Sequence, residues 1–397
     1  MTAGAAQRRD PGRVETPGPA DRAALMQILS SPWVAQSCYA LAKIGIPDLM
    51  AEGPRTAADL AAESGVNPRA LERMLRALAS IGLLRETSLG AFGLTPLTRL
   101  LTTATVRSGR PATIMFGEEV FRSFAEIVYT LRTGRPAFEK VYGQPFYDYL
   151  GDHPEAARTF ATAMGGAAVP HALAACDLSG LGTLVDVGGG NGGLLAKVLA
   201  ANPQARGVLV DLPEAVRQAR DRLGKAGLTG RVGFAEGSFF DQVPAGGDVY
   251  VLSRVLHNWD DAAAAALLRR IRAAMSGGAR LIVLEQLMQA PDGPGGGVDA
   301  DADAADGARG GPADGARGGP ADGAQGPRAG GPRAAAQSQL MDLLILLMLP
   351  GWDRTEAEYR ALLTEAGFDV AAVWPPPLRA PGAESALEAV PARGPGD

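Results

Sequence analysis

The segment Leu184-Val-Asp-Val-Gly-Gly-Gly-Asn-Gly-Gly193 constrains this chain more than any other. An apolar run passes through a glycine-rich turn into Leu194-Leu-Ala-Lys-Val-Leu, which favours a helix. Glycines without a Cβ, next to the free N–H groups of a helix start, let a nucleotide-like ligand approach the backbone closely. The pattern around it alternates strand and helix. Thr183–Val187, Arg206–Val210, Val232–Ala235, Asp248–Leu252 and Ala279–Leu284 read as strands, with helices over Gly193–Ala201, Pro213–Leu223 and Asp261–Met275. A helix over Thr355–Ala366 and strands over Phe368–Val373 and Glu384–Val390 follow. This is the signature of an α/β fold: a Rossmann-like parallel sheet covered on both faces, with ligands at the carboxyl ends of its strands.

The turn alone leaves two ligands open. Gly188, Gly190 and Gly193 satisfy G-x-G-x-x-G, and Asp211 closes the second strand where an acceptor for ribose hydroxyls is expected, so NAD fits. Asp186, two residues before Gly188, stands where a dinucleotide fingerprint carries an apolar side chain. A carboxylate there attracts the ammonium of S-adenosylmethionine and repels a pyrophosphate.

Ahead of the sheet lies a helical half. Residues 1–20 are polar and proline-rich, without the apolar run of a signal peptide, and are expected to be disordered. Over 21–105, two helical stretches flank a Gly65–Pro68 turn with Asn67 as the N-cap of the second, and Leu83–Leu94 makes a β-wing. A winged helix can bind DNA, but Arg55, Arg69, Arg73, Arg76 and Arg85 are nearly balanced by Asp59, Glu63, Glu72 and Glu86. A dimerising role is preferred. A helical connector, 106–175, is expected to contribute to the acceptor pocket, and 176–397 forms the catalytic domain.

Glycine (52) and proline (29) are in excess, concentrated where the octet beginning at Asp306 repeats from Asp314. Residues 291–336 lack the apolar surface to offset ordering entropy and read as a disordered insertion. Its aspartates lack the glycine and glutamate of a calcium loop. Cys38 and Cys176 have no ligand spacing, so neither zinc nor a disulfide framework is expected, and a cytoplasmic setting fits. A net charge of −5 gives no electrostatic footprint for nucleic acid, and no segment is long and apolar enough for a bilayer.

The chain has three histidines, and only His257 follows directly on the carboxyl end of a predicted strand. Leu184–Gly193, Val210-Asp-Leu-Pro213, Glu236-Gly-Ser-Phe-Phe240 and Leu256-His-Asn-Trp-Asp-Asp261, in this order behind a winged helix, resemble the S-adenosylmethionine-dependent O-methyltransferases of plant phenolic and bacterial polyketide pathways. The resemblance implies a class I methyltransferase sheet, a homodimer built through the N-terminal domain, and a small aromatic hydroxyl as acceptor. It puts Asp186, Gly188 and Gly190 at the methionine end of the cofactor, Asp211 at the ribose, Ser238 and Phe239 at the adenine, and Ser253 close by. It makes His257 a general base, Glu285 its first carboxylate partner, and Asp353 a second where many relatives carry the longer glutamate. Phe160 and Met164 match residues bordering cofactor and acceptor, and Arg254 stands where plant relatives have an aromatic. Trp33, Phe116, Phe146, Tyr147 and Met348 are further candidates to line a flat pocket. Same-fold chemistry without methyl transfer, an oxidoreductase and a DNA-binding regulator are the rival readings.

Overall fold

The computed structural model describes residues 16–87, 90–165, 171–288, 332–376 and 383–392. They fall into two compact units, divided between Phe121 and Arg122.

In the first unit, the helix Pro19–Ile44 opens with proline at N1, and Asp21 accepts the Gly18 N–H at 2.7 Å. The helix therefore starts inside the 1–20 stretch expected to be disordered, because proline's fixed φ suits a first helical position. Residues 1–15 lie outside the described residues. The helices Ala57–Ser64 and Pro68–Ser80 form the helix-turn-helix, and the Asn67 side chain caps the second by accepting the Ala70 N–H at 3.0 Å. Leu71, Leu75 and Leu78 recur at helical spacing and are buried against Leu41, Ile46, Leu60 and Phe92. The wing contains β2 (Leu84–Glu86) and β3 (Ala91–Leu94), joined by β1 (Arg55–Thr56) in the antiparallel order β1-β3-β2. Two residues carry no periodicity, which is why β1 is invisible in the sequence.

The second unit is built on β4 (Thr183–Val187), β5 (Arg206–Asp211), β6 (Val232–Glu236), β7 (Val249–Ser253) and β8 (Arg280–Glu285). These run parallel in the order β6-β5-β4-β7-β8. Side chains alternate between two cores. Val185, Val187, Tyr250, Leu252, Leu281 and Val283 enter one, while Leu184, Val249, Val251, Ile282 and Leu284 enter the other. Helices Gly193–Ala201, Pro213–Lys225, Asp261–Ala274 and Glu356–Glu365 agree with expectation to within two residues.

Two expectations need correction. The sheet is not wholly parallel: β10 (Ser385–Pro391) lies antiparallel between β8 and β9 (Phe368–Trp374). The connection 375–384 is too short for the helical crossover of about a dozen residues that parallel neighbours need. The insertion expected at 291–336 lies outside the described residues as far as 331, and the helix Pro332–Met348 begins before its expected end. Ala334-Ala-Ala336 is strongly helix-forming and outweighs the proline and glycines before it.

Among the described residues no helix is long and apolar enough to cross a membrane. From β4 the chain adds strands first to one side and then to the other. The crevice of such a switch point opens at the carboxyl ends of β4 and β7.

Candidate active site

Asp186 occupies a position on β4 whose neighbours on the same face are apolar, and it is 1% exposed. Neither of its carboxylate oxygens has a hydrogen-bond partner among the described residues. Burial, and then the nearby Asp211 carboxylate, push its pKa up to about 7. A buried anion left unpaired costs several kcal/mol, so the charged form of this group is disfavoured while it has no partner. Above it the chain turns at Gly188, with φ +72°, where a Cβ would stand 2.7 Å from Val255 Cγ2. Asp211, ending β5, accepts the Gly190 and Leu212 N–H groups at 2.7 Å each, which fixes its carboxylate beside the turn. Ser238 Oγ accepts the Phe240 N–H at 3.1 Å, leaving its own O–H to donate. Ser253 ends β7 between Leu252 and Arg254.

The second cluster lies at the end of β8. His257 sits in the short turn Leu256–Asn258, and its Nδ1 is 3.0 Å from Asp353 Oδ1 and 3.7 Å from Glu285 Oε2. Glu285, wholly buried, uses Oε1 to accept the Val255 and Leu256 N–H groups at 3.0 and 2.8 Å, so it holds the turn that carries the imidazole. The expected order of partners is thus reversed, with Asp353 making the direct bond. Its short side chain suffices because Gly351 packs directly under the turn, where a Cβ would fall 2.2 Å from the His257 carbonyl oxygen. Burial favours neutral His257, but Glu285 and the hydrogen-bonded Asp353 outweigh burial and the opposing Arg254, raising its pKa above the ordinary 6.5. With Nδ1 committed, Nε2 is the nitrogen left to take a proton.

Aromatic rings join the two clusters. Tyr147 stacks on Trp259 with centroids 5.4 Å apart, and Trp259 meets Phe239 and Phe240 edge-on at 6.0 and 4.7 Å. Phe146 and Phe160 extend the group, edge to face at 5.1 Å. Burial, then Asp211 and Glu285, hold the Tyr147 hydroxyl well above its usual pKa, so it stays protonated between the two clusters. Met164 is 47% exposed and stands outside these ring contacts. Arg254, held at φ +56°, forms an ion pair with Glu384 at 3.2 Å. Trp33 and Phe116 belong to the first unit and are exposed, whereas Met348 is buried in the second.

Two participants escaped the sequence. Trp259 was signalled only as part of a motif, yet its ring meets those of Tyr147, Phe239 and Phe240. Gly351 follows no periodicity, since its part is to let one irregular segment pack on another.

Residues 121–299 match the model of the O-methyltransferase domain, and residues 26–104 that of the O-methyltransferase dimerisation domain. The phenazine O-methyltransferase PhzM of Lysobacter antibioticus is 44% identical over 272 residues, covering 68% of this chain and 79% of that protein. The O-demethylpuromycin-O-methyltransferase of Streptomyces alboniger is 37% identical over 393 residues, covering 96% and 94%. The crystal structure of NcsB1, an O-methyltransferase from neocarzinostatin biosynthesis in complex with S-adenosylmethionine and 2-hydroxy-5-methyl naphthoic acid, superposes with a TM-score of 0.71 at 30% identity, covering 90% and 96%. The chain belongs to the O-methyltransferase family and carries that family's dimerisation domain. It is an S-adenosylmethionine-dependent enzyme, and the unpaired Asp186 and the open space over Gly190, where a Cβ would meet no described atom within 4 Å, fit that cofactor.

Two outcomes follow. Folded Asp186 holds a proton that the unfolded chain has lost between about pH 4 and pH 7, so its contribution makes the cofactor-free protein less stable as pH rises through that window. Asp186→Asn is expected to raise the thermal midpoint of cofactor-free protein at pH 7.5 while weakening S-adenosylhomocysteine at least about tenfold, as calorimetry would record. Because imidazole must be neutral to accept a proton, kcat/KM should climb with pH and reach half its plateau above pH 6.5. A profile flat from pH 5.5 to 8.5 would remove His257 from the proton transfer.

Proposed function

We propose that this enzyme methylates the phenolic hydroxyl of a small aromatic metabolite, with His257 as the general base. The observation that carries the reading is the Nδ1 contact of His257 with Asp353, backed by Glu285, beside a cation-seeking carboxylate and a ring-lined wall. When bound, S-adenosylmethionine supplies a methyl group activated by a sulfonium. Asp186 takes the ammonium end, Asp211 the ribose hydroxyls, Ser238 and Phe239 the adenine edge, with Ser253 alongside and Gly188 and Gly190 giving backbone access. Phe146, Phe160, Tyr147 and Trp259 present flat apolar faces to an aromatic acceptor. Arg254 and Met164 border the acceptor less directly, one engaged by Glu384 and the other open to solvent.

A free phenol has a pKa of about 10 and is mostly protonated at neutral pH. His257 Nε2 removes that proton as the oxygen attacks. Asp353 and Glu285 stabilise the imidazolium that results, contributing with the base about 10²- to 10⁴-fold. Alignment of the oxygen by the ring cluster supplies much of the remaining acceleration. Phe146, Tyr147 and Phe160, within the connector read as 106–175, thereby serve the acceptor side.

We also infer a homodimer formed through the first unit and a reducing, cytoplasmic setting that suits the free thiols Cys38 and Cys176. Leu25, Ile28, Leu29 and Trp33 form one apolar stripe on the helix Pro19–Ile44, each more than half exposed. Such a stripe marks a protein interface. Leu29→Glu with Trp33→Glu should give a monomer by analytical ultracentrifugation, and an unchanged dimer would put the interface elsewhere.

The activity is tested with methyl-labelled S-adenosylmethionine and acceptors that include 3-amino-4-hydroxybenzoate, which offers both oxygen and nitrogen. Label is expected on oxygen. His257→Ala should lower turnover at least about 100-fold while leaving S-adenosylhomocysteine affinity within about twofold. Label on nitrogen alone, or undiminished turnover in the variant, would contradict the proposal.

A further inference from the structure

Arg354 has the largest wholly buried side chain among the described residues and lies outside the reacting groups. Its guanidinium donates from Nη1 to the Leu256 carbonyl at 3.1 Å and from Nη2 to the Trp259 carbonyl at 2.8 Å. Asp261, the first residue of the following helix, accepts from Nε and Nη2 at 3.0 and 2.8 Å. The guanidinium also stacks over the Trp352 ring at 4.3 Å. Burying a cation costs several kcal/mol, and a packed apolar side chain would often stabilise as well. What an apolar side chain lacks is a planar fork able to bind two carbonyls and a carboxylate at once.

The carbonyls it holds belong to the turn that carries His257. Glu285 binds the Val255 and Leu256 N–H groups where that turn begins, and Arg354 binds the Leu256 and Trp259 carbonyls on either side of His257. Arg354 also directly follows Asp353, the residue that bonds His257 Nδ1. One side chain thereby ties the backbone of the base to the backbone of its partner. Gly351 removes the Cβ that would hold these segments apart.

We propose that Arg354 is a positioning residue for methyl transfer: it fixes the Leu256–Trp259 turn against Asp353, so that His257 keeps its Nδ1 contact and presents Nε2. This rests on the reading of His257 as the base. The groups facing the imidazole are Asp353, Glu285 on β8, Arg254 after β7, and Asp342 on the helix Pro332–Met348, which accepts the Asp353 N–H at 3.0 Å.

The test uses full-length Arg354→Met and Arg354→Lys protein with ring-labelled histidine. With three histidines in the chain, His257→Ala identifies the His257 signal. In Arg354→Met the His257 titration midpoint is expected to fall by about one pH unit, since a loosened Asp353 contact withdraws support for the imidazolium. Simple removal of a neighbouring cation would raise the midpoint, so the direction separates positioning from bulk electrostatics. Turnover of 3-amino-4-hydroxybenzoate, or of whichever acceptor is accepted, should drop at least about tenfold with KM for S-adenosylmethionine within about twofold, and Arg354→Lys should recover part of it. If Arg354→Met does not fold, Asp261→Ala removes the exposed anchor of the same fork, with a smaller fall in the same direction expected. A midpoint unmoved or raised in the folded variant overturns the proposal. Unimpaired turnover in His257→Ala would defeat the base reading, while the titration, which needs no acceptor, still decides whether Arg354 places the imidazole.

Discussion

Buried negative charge at the carboxyl edge of the sheet is the constraint on which the site depends. Asp186, Asp211 and Glu285 end or nearly end three parallel strands, and each is pushed toward its protonated form chiefly by burial. The apolar strands beneath them, with Val185, Val187, Leu252 and Val283 excluded from water, supply the stability that carries this cost. Each acid is then used differently. Asp211 is satisfied by backbone donors, Glu285 holds a turn, and Asp186 has no hydrogen-bond partner among the described residues.

The same edge explains how one fold separates two tasks. On the β4–β5 side a glycine turn sits beside the carboxylates of Asp186 and Asp211, and on the β7–β8 side a charged clamp holds an imidazole. Trp259 and Tyr147 span the interval with ring faces rather than charges.

Much of this was legible in the sequence. The strands and helices of the second unit were readable because buried parallel strands are continuous apolar runs and the helices between them carry ordinary start signals. Asp186 announced itself as an acid where the pattern calls for an apolar side chain, and His257 by its place after a strand. The place of β10 between β8 and β9 was not legible, since it rests on pairing between strands distant in the chain, although the short connection 375–384 already argued for its antiparallel direction. Nor was the direct contact of Asp353 with His257. A comparison of side-chain lengths favours glutamate, but the distance is set by Gly351, which allows two backbones to meet. Arg354 stayed hidden because a buried arginine is unexpected from composition and reveals its function only through its acceptors.

The central claim is that an unpaired acid beneath the glycine turn awaits the cationic end of the cofactor. Titration calorimetry of S-adenosylhomocysteine at pH 6.5, run in buffers of different ionisation enthalpy, measures protons exchanged on binding. The account predicts release of protons as the ligand's ammonium drives Asp186 to its charged form, with the release fading by pH 8.5. Binding heat independent of the buffer at pH 6.5, with undiminished affinity, would contradict it.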